Sequence, residues 1–298
     1  MAVAAPEAPV VPEASGSVSR RVSRALGRRP RLRLFTLLGA PAAWLLIAYL
    51  GSLFALLLTS LYRIDDTGLI VEKLSFSNFH EILTDPVYRT VALRTIEVAA
   101  SVTVIDILLA LPVAFYIAKM AAPRWRALLV AAVLVPLWAS YLVKAYAWRA
   151  LLGTPGGVFA STFGHSLGYS TPSVVLVLAY PWLPYMILPI YAGLERLPDS
   201  LLEASGDLGA RSRTTFRLVV LPVLLPAIVA GSIFTFSLSL GDYIAVGLVG
   251  GSTQMIGSVV YANFATNLPL AAAFSVVPVI IMILYLGGAR RTGAFENL

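Results

Sequence analysis

ERLPDSLLEASGDLGARSRTTFRLVVLP, residues 195–222, is the stretch on which the fold turns. It is polar and charged, yet it joins two long apolar runs, roughly Pro172 to Leu194 and Leu218 to Val249. Its local chemistry is helical. Pro198 stops what precedes it, Ser200 followed by Glu203 matches a capping box, and Leu197, Leu201, Ala204 and Leu208 recur on one helical face. Gly206 and Gly209 then permit a sharp bend before the basic run from Arg211 to Arg217. The expected product is a short amphipathic helix that must bury its stripe, either among lipid headgroups or in a protein groove. Periodicity favours neither.

Outward from this loop the chain is greasy: of 298 residues 58% are hydrophobic and only 12% charged, with no cysteine and a mean hydropathy of +0.83. A soluble domain carries about 25% charged residues, so this chain has too few to cover a water-facing surface. The lack of cysteine excludes disulfides, thiolate metal sites and a cysteine nucleophile. The net charge of +7 would suggest nucleic acid only if gathered on one wet surface, and the basic residues are instead dispersed around the apolar runs.

Six runs reach the roughly 20 residues a bilayer core requires: Leu34 to Leu61, Val91 to Ala118, Ala127 to Leu151, Pro172 to Leu194, Leu218 to Val249 and Leu268 to Ala289. The expectation is an all-α membrane protein of six transmembrane helices. The fifth run is over-long and contains Pro222, Pro226, Gly231, Gly241 and Gly247, which predicts a kinked or interrupted helix. Arginines Arg20 to Arg33, the loop from Lys119 to Arg126, the loop from Arg196 to Arg217 and Arg290–Arg291 all fall on one side. The positive-inside rule then makes both termini cytoplasmic.

Residues 1–33 read as a disordered basic cytoplasmic segment and 34–61 as the first transmembrane helix, an uncleaved anchor rather than a signal peptide. Residues 62–90 read as an extracytoplasmic loop with a short interfacial helix capped by Asn78 and Glu81. Residues 91–289 form a five-helix core carrying the cytoplasmic loop 195–218, and 290–298 a cytoplasmic tail.

Glu203-Ala204-Ser205, three residues, Gly209, nine residues, then Val219-Val220-Leu221-Pro222 resembles the EAA loop of type I ATP-binding-cassette importer permeases. Ser205 for alanine and Val219 for isoleucine are its two departures, both conservative in volume. Pro136-Leu137-Trp138 with Lys144 to Trp148, Glu195-Arg196-Leu197, Leu240 to Tyr243 and Leu248 to Gly251 look like the polyamine-transport permeases of that superfamily. About Ser75 to Leu286 shares this character. The resemblance implies a type I importer transmembrane domain in a bacterial plasma membrane. Its implied partners are two ATPase subunits, a homologous second permease, an extracytoplasmic solute-binding protein and a small solute such as spermidine or putrescine. Leu201, Ala204 and Leu208 would then enter an ATPase groove, with Glu203 and Asp207 as polar contacts and Gly209 as the bend. No catalytic residue, cofactor, metal or nucleic acid is expected.

Glu97, Asp106, Lys144, Arg149 and Asp242 interrupt otherwise apolar runs, Asp106 near the middle and the others toward the outer side. A charge at the bilayer centre costs about 2.5 to 3.5 kcal/mol on insertion scales, so each needs a partner or a wet cavity. One reading pairs them as internal salt bridges. The other lines a translocation path for a cationic solute with Glu97, Asp106, Trp138, Lys144, Asp242 and Tyr243, helped by the aromatic faces of Tyr141, Tyr146 and Trp148.

Gly164 to Gly168 matches a G-x-S-x-G nucleophile elbow, but it sits between apolar runs and no histidine follows His165. With no Walker A pattern, energy from ATP must come from a partner. The rival from another class is an ion-coupled secondary transporter, which needs no loop of this kind. The same importer class with a different solute is the nearer alternative.

Overall fold

The computed structural model describes residues 30–65, 67–153, 162 and 167–290. The chain divides into two compact units, residues 1–56 and 57–298. In the first, α1 (Pro30–Leu45) runs through a π-helical turn (Leu46–Leu50) into α2 (Gly51–Ser60), whose last turn belongs to the second unit. Helix thus starts four residues before the expected boundary at 34, with Pro30 supplying a φ suited to a first helical turn. Leu38–Ser60 is long and apolar enough to cross a membrane. The earlier part of the N-terminal segment and residues 291–298 of the tail lie outside the described residues.

The second unit opens with a two-residue antiparallel ladder, β1 (Arg63–Ile64) against β2 (Ile70–Val71), with Arg63 facing Val71 and Ile64 facing Ile70. Helix α3 (Ser77–Thr84) follows, but Asn78 does not cap it. The helix starts earlier, at Ser77, with Phe76 as its N-cap and no side-chain cap. Asn78 is buried inside it and donates to the carbonyls of Ser60 (3.0 Å) and Tyr62 (2.7 Å), groups that the end of α2 leaves without partners.

Helix α4 (Pro86–Phe115) begins as its sequence dictates: the Asp85 carboxylate accepts from the Val87 N–H at 2.8 Å, and Pro86 takes the position where no N–H is needed. A π-helical turn (Tyr116–Met120) extends it to a basic loop. The third apolar run is not one straight helix. It breaks after α5 (Pro123–Trp138), and α6 (Tyr141–Gly153) leaves at 89°. Helix α7 (Thr171–Arg196) carries three internal prolines, then come α8 (Asp199–Asp207) and α9 (Ser212–Thr215). A third π-helical turn (Phe216–Val220) leads into α10 (Leu221–Leu240). The fifth apolar run is interrupted where its glycines suggested: α10 stops at Gly241, and α11 (Ile244–Val249) is a separate short helix. The chain continues through α12 (Ile256–Asn263) and α13 (Leu268–Arg290).

Helices α4, α7 and α10 pack on one another as the heart of the second unit. Toward the 195–218 loop, Ala110 and Ala114 of α4 meet Met186, Ile190 and Leu194 of α7 and Leu224 and Ile228 of α10. Toward the far end, Val98 and Val102 meet Val174, Val177 and Leu178, joined by Leu152 of α6 and Val246 and Val249 of α11. A third cluster, with Ile82, Val91, Ile256 and Phe274, fastens α3, α12 and α13 to α4.

Candidate functional site: a projecting helix and a far-end polar cluster

The 195–218 loop is held by its own backbone chemistry. Gly209 lies at φ +77°, the left-handed region that glycine occupies without a Cβ penalty. Its N–H donates to Gly206 O (2.8 Å), and the Ala210 N–H donates to Ser205 O (3.1 Å). Together these two bonds make the Schellman closure of α8, satisfying carbonyls a helix end would otherwise leave bare. Ser205 is buried, and its hydroxyl meets that of Thr215 at 2.8 Å. The bend is therefore clasped from both sides.

The expected capping box does not form. Helix α8 starts two residues earlier than that box requires, with Pro198 as its N-cap and no side-chain cap. Asp199 in the first turn is engaged instead by Lys119. The expected stripe also divides. Leu197 belongs to the end of α7 and is buried in the core, while Leu202 packs from α8 onto the same cluster. Leu201, Glu203, Ala204, Asp207 and Leu208 all face outward, Leu208 at 89% exposure. An apolar residue presented so fully on a short, rigid helix marks a face built to be covered.

Lys119 lies in the π-helical turn that extends α4 and was legible in sequence only as one positive charge among many. Its Nζ donates to Asp199 Oδ1 (2.6 Å) and to Leu197 O (2.7 Å). Hydrogen bonding to the ammonium, and then its charge, hold the Asp199 carboxyl below the usual carboxylate value.

At the far end, Asp242 occupies the break between α10 and α11. One carboxylate oxygen accepts from the Ala245 N–H (2.8 Å), capping α11, and the other accepts from the Tyr141 hydroxyl, tying α11 to α6. Tyr141 stacks on Trp182 (centroids 5.5 Å apart), Trp182 touches Tyr185, and Tyr185 stacks on Phe234. The aromatic run thus crosses α6, α7 and α10. Tyr141 stood out in the sequence, whereas Trp182, Tyr185 and Phe234 did not, because their neighbours come from different helices. Tyr243 is partly exposed and stacks on Tyr261 at 4.7 Å.

The other path candidates do not converge. Lys144 donates to the Pro136 carbonyl (3.0 Å), a group the α5–α6 break exposes. Trp138 stands beside that break at 90% exposure, and Glu97 is exposed on α4. Arg149 lies over the Tyr169 ring at 5.7 Å. Asp106 is fully buried between the two apolar clusters, and neither oxygen has a hydrogen-bond partner, nor does Trp182 Nε1 or Ser239 Oγ. Among the described residues the one ion pair is Lys119–Asp199. The internal salt bridges considered for Glu97, Asp106, Lys144, Arg149 and Asp242 are therefore not formed: a backbone carbonyl takes Lys144, a ring face Arg149, and an N–H and a phenol Asp242, while Glu97 faces outward and Asp106 is buried without a hydrogen bond. Of the nucleophile-elbow residues, 164–166 lie outside the described residues.

A projecting helix bent at a left-handed glycine between apolar helices matches a known pattern. Residues 98–287 fit the family described as binding-protein-dependent transport system inner membrane component. The chain belongs to this family. It is 43% identical to the inner membrane ABC transporter permease protein YdcU of Escherichia coli (strain K12), over 93% of this chain and 95% of that one. It is 32% identical to the spermidine/putrescine transport system permease protein PotB of the same organism, over 76% of this chain and 86% of the relative. Its fold is shared with a chain of a bacterial alginate ABC transporter crystallised with a pentasaccharide-bound periplasmic protein. The TM-score is 0.72 at 13% identity, covering 92% of this chain and 97% of that one. The permease is accordingly a multi-pass component of a bacterial inner membrane, with the transmembrane fold of a type I importer.

Proposed function

We propose that this permease conducts a polyamine such as spermidine or putrescine, delivered by an extracytoplasmic binding protein and driven by two partner ATPases, beside a second homologous permease. The observation that carries the proposal is the outward face of α8, where Leu201, Ala204 and Leu208 project from a helix locked by the Gly209 closure. That face offers apolar knobs to a groove, with Glu203 and Asp207 beside them as polar contacts. The chain itself catalyses no covalent step. Both termini lie on the ATPase side in this reading, as the distribution of arginines requires.

Closure of the ATPases on ATP pushes α8, and the clasped bend passes that push into α7 and α10, opening the far end to the binding protein. The choice of solute is supported by the relation to a spermidine/putrescine permease and by the chemistry of the far end. Tyr243 and the aromatic run from Tyr141 to Phe234 offer π faces to an amine, with the Asp242 carboxylate, already bonded to Tyr141 and Ala245, beside them. Glu97, Asp106, Trp138 and Lys144 stand apart from this cluster, and the choice of solute does not rest on them.

The test is reconstitution in proteoliposomes with the cognate ATPase, second permease and binding protein, following labelled spermidine. ATP-dependent uptake that vanishes without the ATPase is expected. Uptake by this chain alone under a proton or sodium gradient would establish the ion-coupled rival, and ATP-driven uptake of another solute would displace the polyamine.

A further inference from the structure

The fastening of α8 is lopsided. At its far end the Schellman closure fixes the bend and the Ser205–Thr215 hydroxyl pair joins it to the start of the fifth span. At its start the chain continues from α7, so both ends are tied to α7 or α10 by covalent neighbours. Helix α4 has no such continuity with α8, although it packs extensively on both of those helices. Besides the packing of Leu202 on the cluster that α4 shares, the polar link from this span to α8 is Lys119. The side chain is 12% exposed, and its two acceptors are the carbonyl of Leu197, just before α8, and the carboxylate of Asp199, the first residue of α8. The loop that follows is braced as well, since Arg126 Nε donates to the Ala121 carbonyl at 3.1 Å.

We propose that Lys119 is a positioning residue for coupling, a strut that makes the second span move with α8 when the ATPases push. The inference rests on the importer reading above and adds a residue outside the 195–218 loop to its machinery. The two contacts are unequal. Asp199 is 75% exposed, and a solvent-screened ion pair contributes little. The bond to the Leu197 carbonyl is sheltered and charge-assisted, so it carries most of the fastening. Losing Lys119 therefore costs far more than losing Asp199.

The experiment uses the reconstituted importer and reads labelled spermidine moved per ATP hydrolysed. Lys119→Met is expected to lower that ratio by about tenfold, the scale of one lost charge-assisted hydrogen bond, while the complex stays assembled and ATP is still hydrolysed. Asp199→Ala should stay within about twofold of wild type, as an exposed pair implies. A Lys119→Met importer with the wild-type ratio overturns the proposal. The chain has no cysteine of its own, so Lys119→Cys with Asp199→Cys can be bridged by a flexible bismaleimide. Restoration of the ratio on bridging supports a strut that stays joined through the cycle, and a bridge that fails to restore it overturns one. This second arm carries the test if Lys119→Met does not assemble. Failure of the importer reading itself appears separately, as a wild-type chain that binds no ATPase or moves no spermidine.

Discussion

Replacing Gly209 by alanine isolates what the bend is worth. The residue sits at φ +77°, and a Cβ built there meets nothing within 4 Å, so the entire penalty is backbone. An L-residue held in the left-handed region pays about 1–2 kcal/mol. At about 1.4 kcal/mol per factor of ten, this lowers the population of the bent loop, and hence its affinity for an ATPase, by roughly 5- to 30-fold. Gly206 is the matched control. It lies inside α8, its Cβ also meets open space, and it has no positive φ. Gly206→Ala should leave docking unchanged or strengthen it, since glycine within a helix costs about 0.5–1 kcal/mol relative to alanine. Gly209→Pro is the extreme case, because it removes the N–H that donates to Gly206 O and fixes φ near −65°. The assay is binding of the purified ATPase to the permease in nanodiscs, with uptake measured in parallel. Equal affinities for Gly209→Ala and wild type, or Gly206→Ala as the weaker of the two, would refute the account of the bend.

Three further outcomes are expected. Asp106→Leu should raise the thermal midpoint in detergent, because an unpartnered buried polar group costs about 1–3 kcal/mol by mutational measures, and uptake by the stable Asp106→Asn variant then reports whether the carboxylate serves the solute. Tyr141→Phe should destabilise the chain by about 1–3 kcal/mol by leaving an Asp242 oxygen unpaired, whereas Asp242→Asn keeps an acceptor for Ala245; a large loss of uptake with unchanged stability in Asp242→Asn would assign the charge itself to transport. The folded-state pKa of Asp199 is lowered, so its bond to Lys119 is fully present above the ordinary value of 3.8 and is lost as pH falls through the lower folded value; a carbon-13 titration should place its midpoint below 3.8 in wild type and move it upward in Lys119→Met.

The apolar runs were legible because lipid leaves no alternative: each had to be helical and long. The loop was legible for a different reason, since its glycine, its leucines and the spacing between them are local. What was missed depends on partners far along the chain. Asn78 and Ser200 both had capping sequences, but Asn78 was claimed by carbonyls of Ser60 and Tyr62, and α8 began at Asp199 under Lys119, eighty positions away. The break at Ala139–Ser140 was signalled only indirectly, by Pro136 three residues before it, since neither Ala139 nor Ser140 is itself a strong helix breaker. A second sign was Lys144, a cation in an apolar run that turned out to serve a bare carbonyl. Ser205 was read as a tolerated departure from alanine, and only the fold reveals the hydroxyl of Thr215 waiting for it.

The 89° break has a consequence for the surrounding lipid. Helix α5 has 16 residues, which at 1.5 Å of rise reach about 24 Å, short of a hydrocarbon slab of about 30 Å. The shortfall is met by drawing the leaflet inward around Trp138 or by admitting headgroups toward the bend. Acyl-chain length thus becomes a control on this molecule: thin membranes relax the dent, thick ones deepen it, and turnover should track the thickness of the bilayer that holds it.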